Sequence, residues 1–181
     1  FMVVGVGIGT ELALNGTAAH AFAHILYKGL LFMCMGAVLF QTGTIKGSEL
    51  GGLYKTMPLT TGFCIIAAAS SAAFPLFSGF ISKSLIITAS AYEGYWIVWA
   101  TLLFASAAVL YHSGIKIPYF AFFAQDSGKR PQEAPKNMLI AMGTAAFLCV
   151  AIGVFPGWLY EILPYNVDYI PYTTTHVVTQ I

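Results

Sequence analysis

A succession of long apolar stretches with almost no charge inside them, at residues 1–14, 17–40, 58–91, 95–118 and 137–160, governs the fold of this chain. A helix needs about 20 apolar residues to cross a bilayer, because each adds ~1.5 Å against a hydrocarbon layer ~30 Å thick. In lipid a backbone must satisfy its donors and acceptors internally, and long apolar runs do so as helices. The expected fold is all-α: a polytopic transmembrane helix bundle over 1–163, followed by a non-cytoplasmic tail over 164–181.

Composition agrees. The chain is 58% apolar and 8% charged, against roughly 45–50% and 25% in an ordinary soluble domain. Its eight Lys/Arg and seven Asp/Glu nearly cancel, so nothing electrostatic favours nucleic acid. Cys34, Cys64 and Cys149 lie singly in apolar runs, which argues against a metal ribbon, an iron–sulfur site or a disulfide framework. No metal, cofactor or catalytic residue set is expected. Gly5, Gly7 and Gly9 follow no strand, so they read as helix packing rather than phosphate binding.

Stretch 1–14 is short of a full span and has no basic segment before it, so it reads as a partial helix of a longer protein. Stretch 58–91, about 34 residues, is too long for one straight crossing and too short for two with a turn. Its middle reads Ser70-Ser71-Ala72-Ala73-Phe74-Pro75-Leu76-Phe77-Ser78-Gly79. Pro75 removes a backbone donor and Gly79 permits non-helical angles, which predicts one crossing broken at its centre. Alternating the spans places Lys46, Lys55, Lys129, Arg130 and Lys136 on one side, and Glu93, Glu161 and Asp168 on the other. The positive-inside bias makes the first side cytoplasmic, for a multi-pass protein of the cell inner membrane.

Chemistry concentrates at few positions. His20, His24 and Lys28 recur every four residues, which puts them on one helix face over ~12 Å. Burying a lysine at membrane depth costs at least ~2.5 kcal/mol, so Lys28 should face protein or water. Lys83 follows the predicted break among Ser78, Ser82 and Ser84, where freed carbonyls and hydroxyls can solvate an ammonium. A histidine titrates near neutral pH, and desolvation favours the neutral form of an amine, so the set reads as a proton relay. His112 and Lys116 lie toward the cytoplasmic end of their span and are candidates for proton uptake. Glu11 reads as a loop-end carboxylate.

The stretch His20-Ala-Phe-Ala-His24-Ile-Leu-Tyr-Lys28-Gly-Leu-Leu-Phe32 comes first, followed by Gly51-Gly52-Leu53 and Pro58-Leu59-Thr60. Together with Phe74-Pro75-Leu76-Phe77-Ser78-Gly79-Phe80-Ile81-Ser82-Lys83, it resembles the antiporter-like membrane subunits. That family holds the proton-pumping membrane subunits of respiratory complex I and the A and D subunits of Mrp-type multisubunit cation/proton antiporters. The resemblance implies the C-terminal part of a subunit of about fourteen helices, with inverted half-channels. It implies that Lys28 is the relay lysine of the second half, His20 and His24 its neighbouring histidines, and Lys83 the lysine of the broken helix. Ile115-Lys116-Ile117-Pro118-Tyr119-Phe120 looks more like the Mrp D subunits, and Ser84 stands where many complex I members carry an acid. The implied function is proton translocation within a sodium or potassium/proton antiporter, with lipid and other membrane subunits as partners and no catalytic chemistry of its own. The alternative is a proton-pumping subunit of an NADH:quinone oxidoreductase or a membrane-bound hydrogenase.

Overall fold

A computed structural model describes residues 1–174 and 177–178; the rest of the expected tail, 175–176 and 179–181, lies outside the described residues. Among the described residues seven α-helices follow one another: α1 (Met2–Ile8), α2 (Glu11–Thr42), α3 (Pro58–Ser71), α4 (Ser78–Tyr92), α5 (Trp96–Val109), α6 (Lys136–Val154) and α7 (Gly157–Tyr160). Wider π turns at Leu110–Lys116 and Tyr119–Phe123 extend α5 into one 28-residue rod. Among the described residues three helices are long and apolar enough to span a membrane, namely α2, the α5 rod and α6. The protein is a multi-pass membrane helix bundle with one discontinuous helix, α3–α4.

Helix α2 begins at Glu11, not at residue 17. Gly9 ends α1 in the left-handed conformation at φ 76°, and the Thr10 hydroxyl accepts from Ala13 N–H at 3.4 Å, capping the new helix. Glu11 is thereby placed in the first turn, where the helix dipole favours an anion. Gly16 lies inside α2, and a Cβ there would meet Leu85 Cβ of α4 at 2.9 Å. Ala13, Ala19 and Ala23 continue this small-residue face, fully buried, so α2 is the central rod against α3, α4 and α6. On the outside, Ile25, Phe32, Phe104 and Ile140 are exposed, the inversion that a lipid-facing surface requires.

The break between α3 and α4 occupies residues 72–77, with Ala73 at φ 62° and Leu76 at φ 73°. These non-glycine residues in the left-handed region carry strain of order ~1–3 kcal/mol each. Gly79 is not the flexible point expected from its type: it lies within α4, and a Cβ there would strike the Ser70 carbonyl. Its role is close approach of the two half-helices. Gly153 of α6 does the same against Leu76 and Phe77 of the break.

In the third span, Pro118 cannot donate to the carbonyl four residues back, and the rod widens on both sides of it. Ala124 N–H bonds Tyr119 O five residues back at 2.7 Å. The rod therefore runs on to Phe123 rather than ending near residue 118. The last span stops at Val154 rather than continuing to 160, because Pro156 lacks the donor for another turn; the short α7 follows.

The loops 43–57 and 124–135 pack together at one end of the bundle. Lys55 Nζ lies 3.0 Å from Asp126, and Arg130 makes two bonds of 2.8 Å to the same carboxylate. Glu133 accepts from Leu59 N–H at 2.8 Å and Thr60 Oγ1 at 2.6 Å at the start of α3. At the opposite end the tail folds back. Asn15 of α2 exchanges two hydrogen bonds with the Tyr165 backbone (2.9 and 3.0 Å), Thr88 Oγ1 donates to Tyr169 Oη at 3.1 Å, and Tyr172 donates to Gly153 O.

Candidate functional site

The relay candidates depend first on Pro75. In an unbroken helix the Ser71 carbonyl would accept from the N–H of residue 75, and proline has none. Lys83, one and a half turns into α4, takes that carbonyl: its Nζ donates to Ser71 O at 2.8 Å and to Ser106 Oγ of α5 at 3.2 Å. Nζ also lies 5.2 Å from the centre of the Phe1 ring, within cation–π range. Lys83 is only 2% exposed.

Helix α2 supplies the other three. Lys28 Nζ donates to Ser113 Oγ, in the π segment of α5, at 3.2 Å. His20, 4% exposed, has Nδ1 2.9 Å from Ser82 Oγ, and that hydroxyl donates to Gly79 O at 3.3 Å. With the hydroxyl proton on Gly79 O, Nδ1–H is the donor to Ser82 and Nε2 is left to accept. The His20 and His24 rings are 5.9 Å apart, and His24 meets the Tyr27 ring edge-on at 5.3 Å.

One cavity of about 410 Å³ is lined by His20, His24, Lys28 and Lys83, together with Tyr27 and Ser71. The buried Ser71 hydroxyl has no hydrogen-bond partner of its own among the described residues. Such a volume exceeds what one water needs many times over, and the polar groups of His20, His24, Tyr27, Lys28, Ser71 and Lys83 lie among apolar side chains at its wall. Among the described residues the ion pairs join Lys46 to Glu49, and Lys55 and Arg130 to Asp126. Neither lysine of the cavity is in one, so both ammonium groups are held by neutral oxygens.

His112 and Lys116 line a different cavity, of about 400 Å³, near the loop end, with Gly47, Ser48 and Phe120. Ser113, next to His112, bonds Lys28, so the π segment carries residues that serve both cavities. Among the described residues no group of three or more His, Cys, Asp or Glu is arranged to hold a metal ion.

Residues 1–110 match the family described as NADH:quinone oxidoreductase/Mrp antiporter, transmembrane. The chain belongs to that family. The NADH-quinone oxidoreductase N subunit of Desulforudis audaxviator is 32% identical over 168 residues, covering 86% of this chain and 34% of the relative. The Na(+)/H(+) antiporter D subunit of Alkalihalophilus pseudofirmus is 36% identical over 132 residues, 73% of this chain and 27% of the relative. Among solved structures, an archaeal membrane-bound sulfane sulfur reductase aligns with a TM-score of 0.82 at 32% identity, over 91% of this chain and 28% of that one. The Mrp complex of Dietzia sp. DQ12-45-1b aligns at 0.78 and 21% identity, over 87% and 38%, a likeness of fold. The chain thus spans about a third of the length of the relatives it matches. The family takes in membrane subunits of both the cation/proton antiporter and the complex I type, and this chain is similar to part of each.

Sequence reasoning missed Ser106 and Ser113. Single serines in an apolar helix read as packing, and the available signal was their separation of seven residues, two turns on one face of α5.

Proposed function

We propose that this chain moves protons through a relay of Lys28 and Lys83 with His20 and His24, as part of a multisubunit sodium or potassium/proton antiporter in the cell inner membrane. The observation that carries the reading is the single cavity lined by all four residues, in which both lysines face neutral oxygens. A lysine paired with a carboxylate stays charged; one held by a carbonyl and hydroxyls can exist in either form. His112 and Lys116 take up protons from the basic end, which is the cytoplasmic side. Other membrane subunits complete the path. A second reading is a proton-pumping subunit of a complex I-type enzyme, favoured by the likeness to the oxidoreductase N subunit over 86% of the chain.

The relay is tested by Lys28→Leu in the complete complex, reconstituted in vesicles with a pH-sensitive dye. Proton transport should fall at least about tenfold at normal assembly on a native gel. Native transport by Lys28→Leu would show that the Lys28 charge is structural. Driving the vesicles with a sodium or potassium gradient, against an electron donor, separates the two host complexes.

A further inference from the structure

The rod of α5 and its π segment carries two buried hydroxyls, and each meets one lysine of the cavity. Ser113 Oγ, 4% exposed as a residue, accepts from Lys28, and Ser106 Oγ, 8% exposed, accepts from Lys83, both at 3.2 Å. Other serines of the bundle use their hydroxyls differently: Ser84 and Ser90 donate to carbonyls of their own helix at 2.8 and 2.7 Å, the common habit of a helical serine. Ser106 and Ser113 instead turn toward the ammonium groups, two helical turns apart.

We propose that Ser106 and Ser113 are positioning residues that hold each lysine in place in both of its protonation states. The inference rests on the relay reading above. A serine hydroxyl has one donor and two acceptor sites and rotates freely. It accepts from –NH₃⁺, and after the proton has left it donates to the lone pair of –NH₂. The Ser71 carbonyl can only accept, so it serves Lys83 through its N–H groups and offers nothing to a lone pair. Ser113 matters more to Lys28 than Ser106 does to Lys83, because among the described residues it is the hydrogen-bond partner on which Lys28 depends.

The experiment compares Ser113→Thr with Ser113→Val in the complete complex in vesicles, reading proton transport alongside assembly. The two side chains have nearly the same shape and differ in the hydroxyl. Thr should transport at near the native rate and Val about tenfold more slowly, the scale of a lost hydrogen bond to a charged group. Equal rates for the pair would overturn the proposal. Ser113→Ala, which adds no atoms, gives the same comparison if the branched pair fails to assemble, and native transport by Ala would likewise overturn it. In the Lys28→Leu background, Ser113→Val should cause no additional loss, since its effect passes through the lysine; a full further tenfold loss would contradict that. If Lys28→Leu itself transports normally, the relay fails. If Lys28→Leu is inactive while Thr and Val are equal, the serine assignment alone fails.

Discussion

The two ends of the charge distribution are built in opposite ways. At the loop end, Asp126 holds Lys55 and Arg130, with the Gly128 N–H at 2.9 Å, and Glu133 caps α3. Each of these carboxylates has partners of opposite sign or several donors. At membrane depth, Lys28 and Lys83 have neutral oxygens only, among the described residues. The loop-end ions are exposed, where pairing costs little desolvation and contributes little. Lys83, 2% exposed, carries the large desolvation cost, Lys28 is half-buried, and both lack the carboxylate that would fix their charge. The two regions thus differ in whether a cation has a counter-charge, and the paired end joins two loops.

Of the two changes that probe this comparison, the larger effect should follow from removing the break that creates the Lys83 site. Pro75→Ala supplies an N–H to Ser71 O, which competes with Lys83 for that acceptor and relieves the strain at Ala73 and Leu76 by letting the helix continue. Vesicle proton transport should fall severalfold with the subunit still assembled. Unchanged transport would mean that the carbonyl is freed by something other than proline.

The smallest effect should come from the opposite region. Arg130 first, then the Gly128 N–H and Lys55, hold the Asp126 carboxyl well below the usual carboxylate range. A carboxyl lowered in the folded state contributes stability at pH above its unfolded value, near ~3.9, and loses it only as pH falls through the lower folded value. The Asp126 contribution should therefore be fully present at pH 5 and be lost progressively as pH falls from the unfolded value through the lower folded one. Asp126→Asn should leave proton transport near native and lower the melting temperature slightly in thermal unfolding of detergent-solubilised protein, less so at high salt. A severalfold loss of transport would erase the division between the two regions.

Much of this was legible in the sequence because lipid narrows the choices. The four-residue spacing of His20, His24 and Lys28 and the proline ahead of Lys83 named residues that the fold brings to one cavity. What was not legible depends on tertiary approach. Gly79 looked like a hinge by residue type, yet close contact with Ser70 explains it, and the strain falls on Ala73 and Leu76. The start of α2 was readable in Gly9-Thr10-Glu11, a left-handed cap followed by an N-cap, but Gly16 in an apolar run obscured it. The π widening follows from Pro118, and its consequence, Ser113 against Lys28, needs the neighbouring helix to be seen.

If Lys83 works by changing its protonation at a neutral site, arginine cannot replace it, since arginine keeps the charge and the donors but stays protonated at any working pH. Lys83→Arg, measured in the complete complex in vesicles with native-gel assembly near normal, should therefore lose proton transport. Transport by Lys83→Arg at close to the native rate would make Lys83 a fixed counter-charge and contradict its place in the relay.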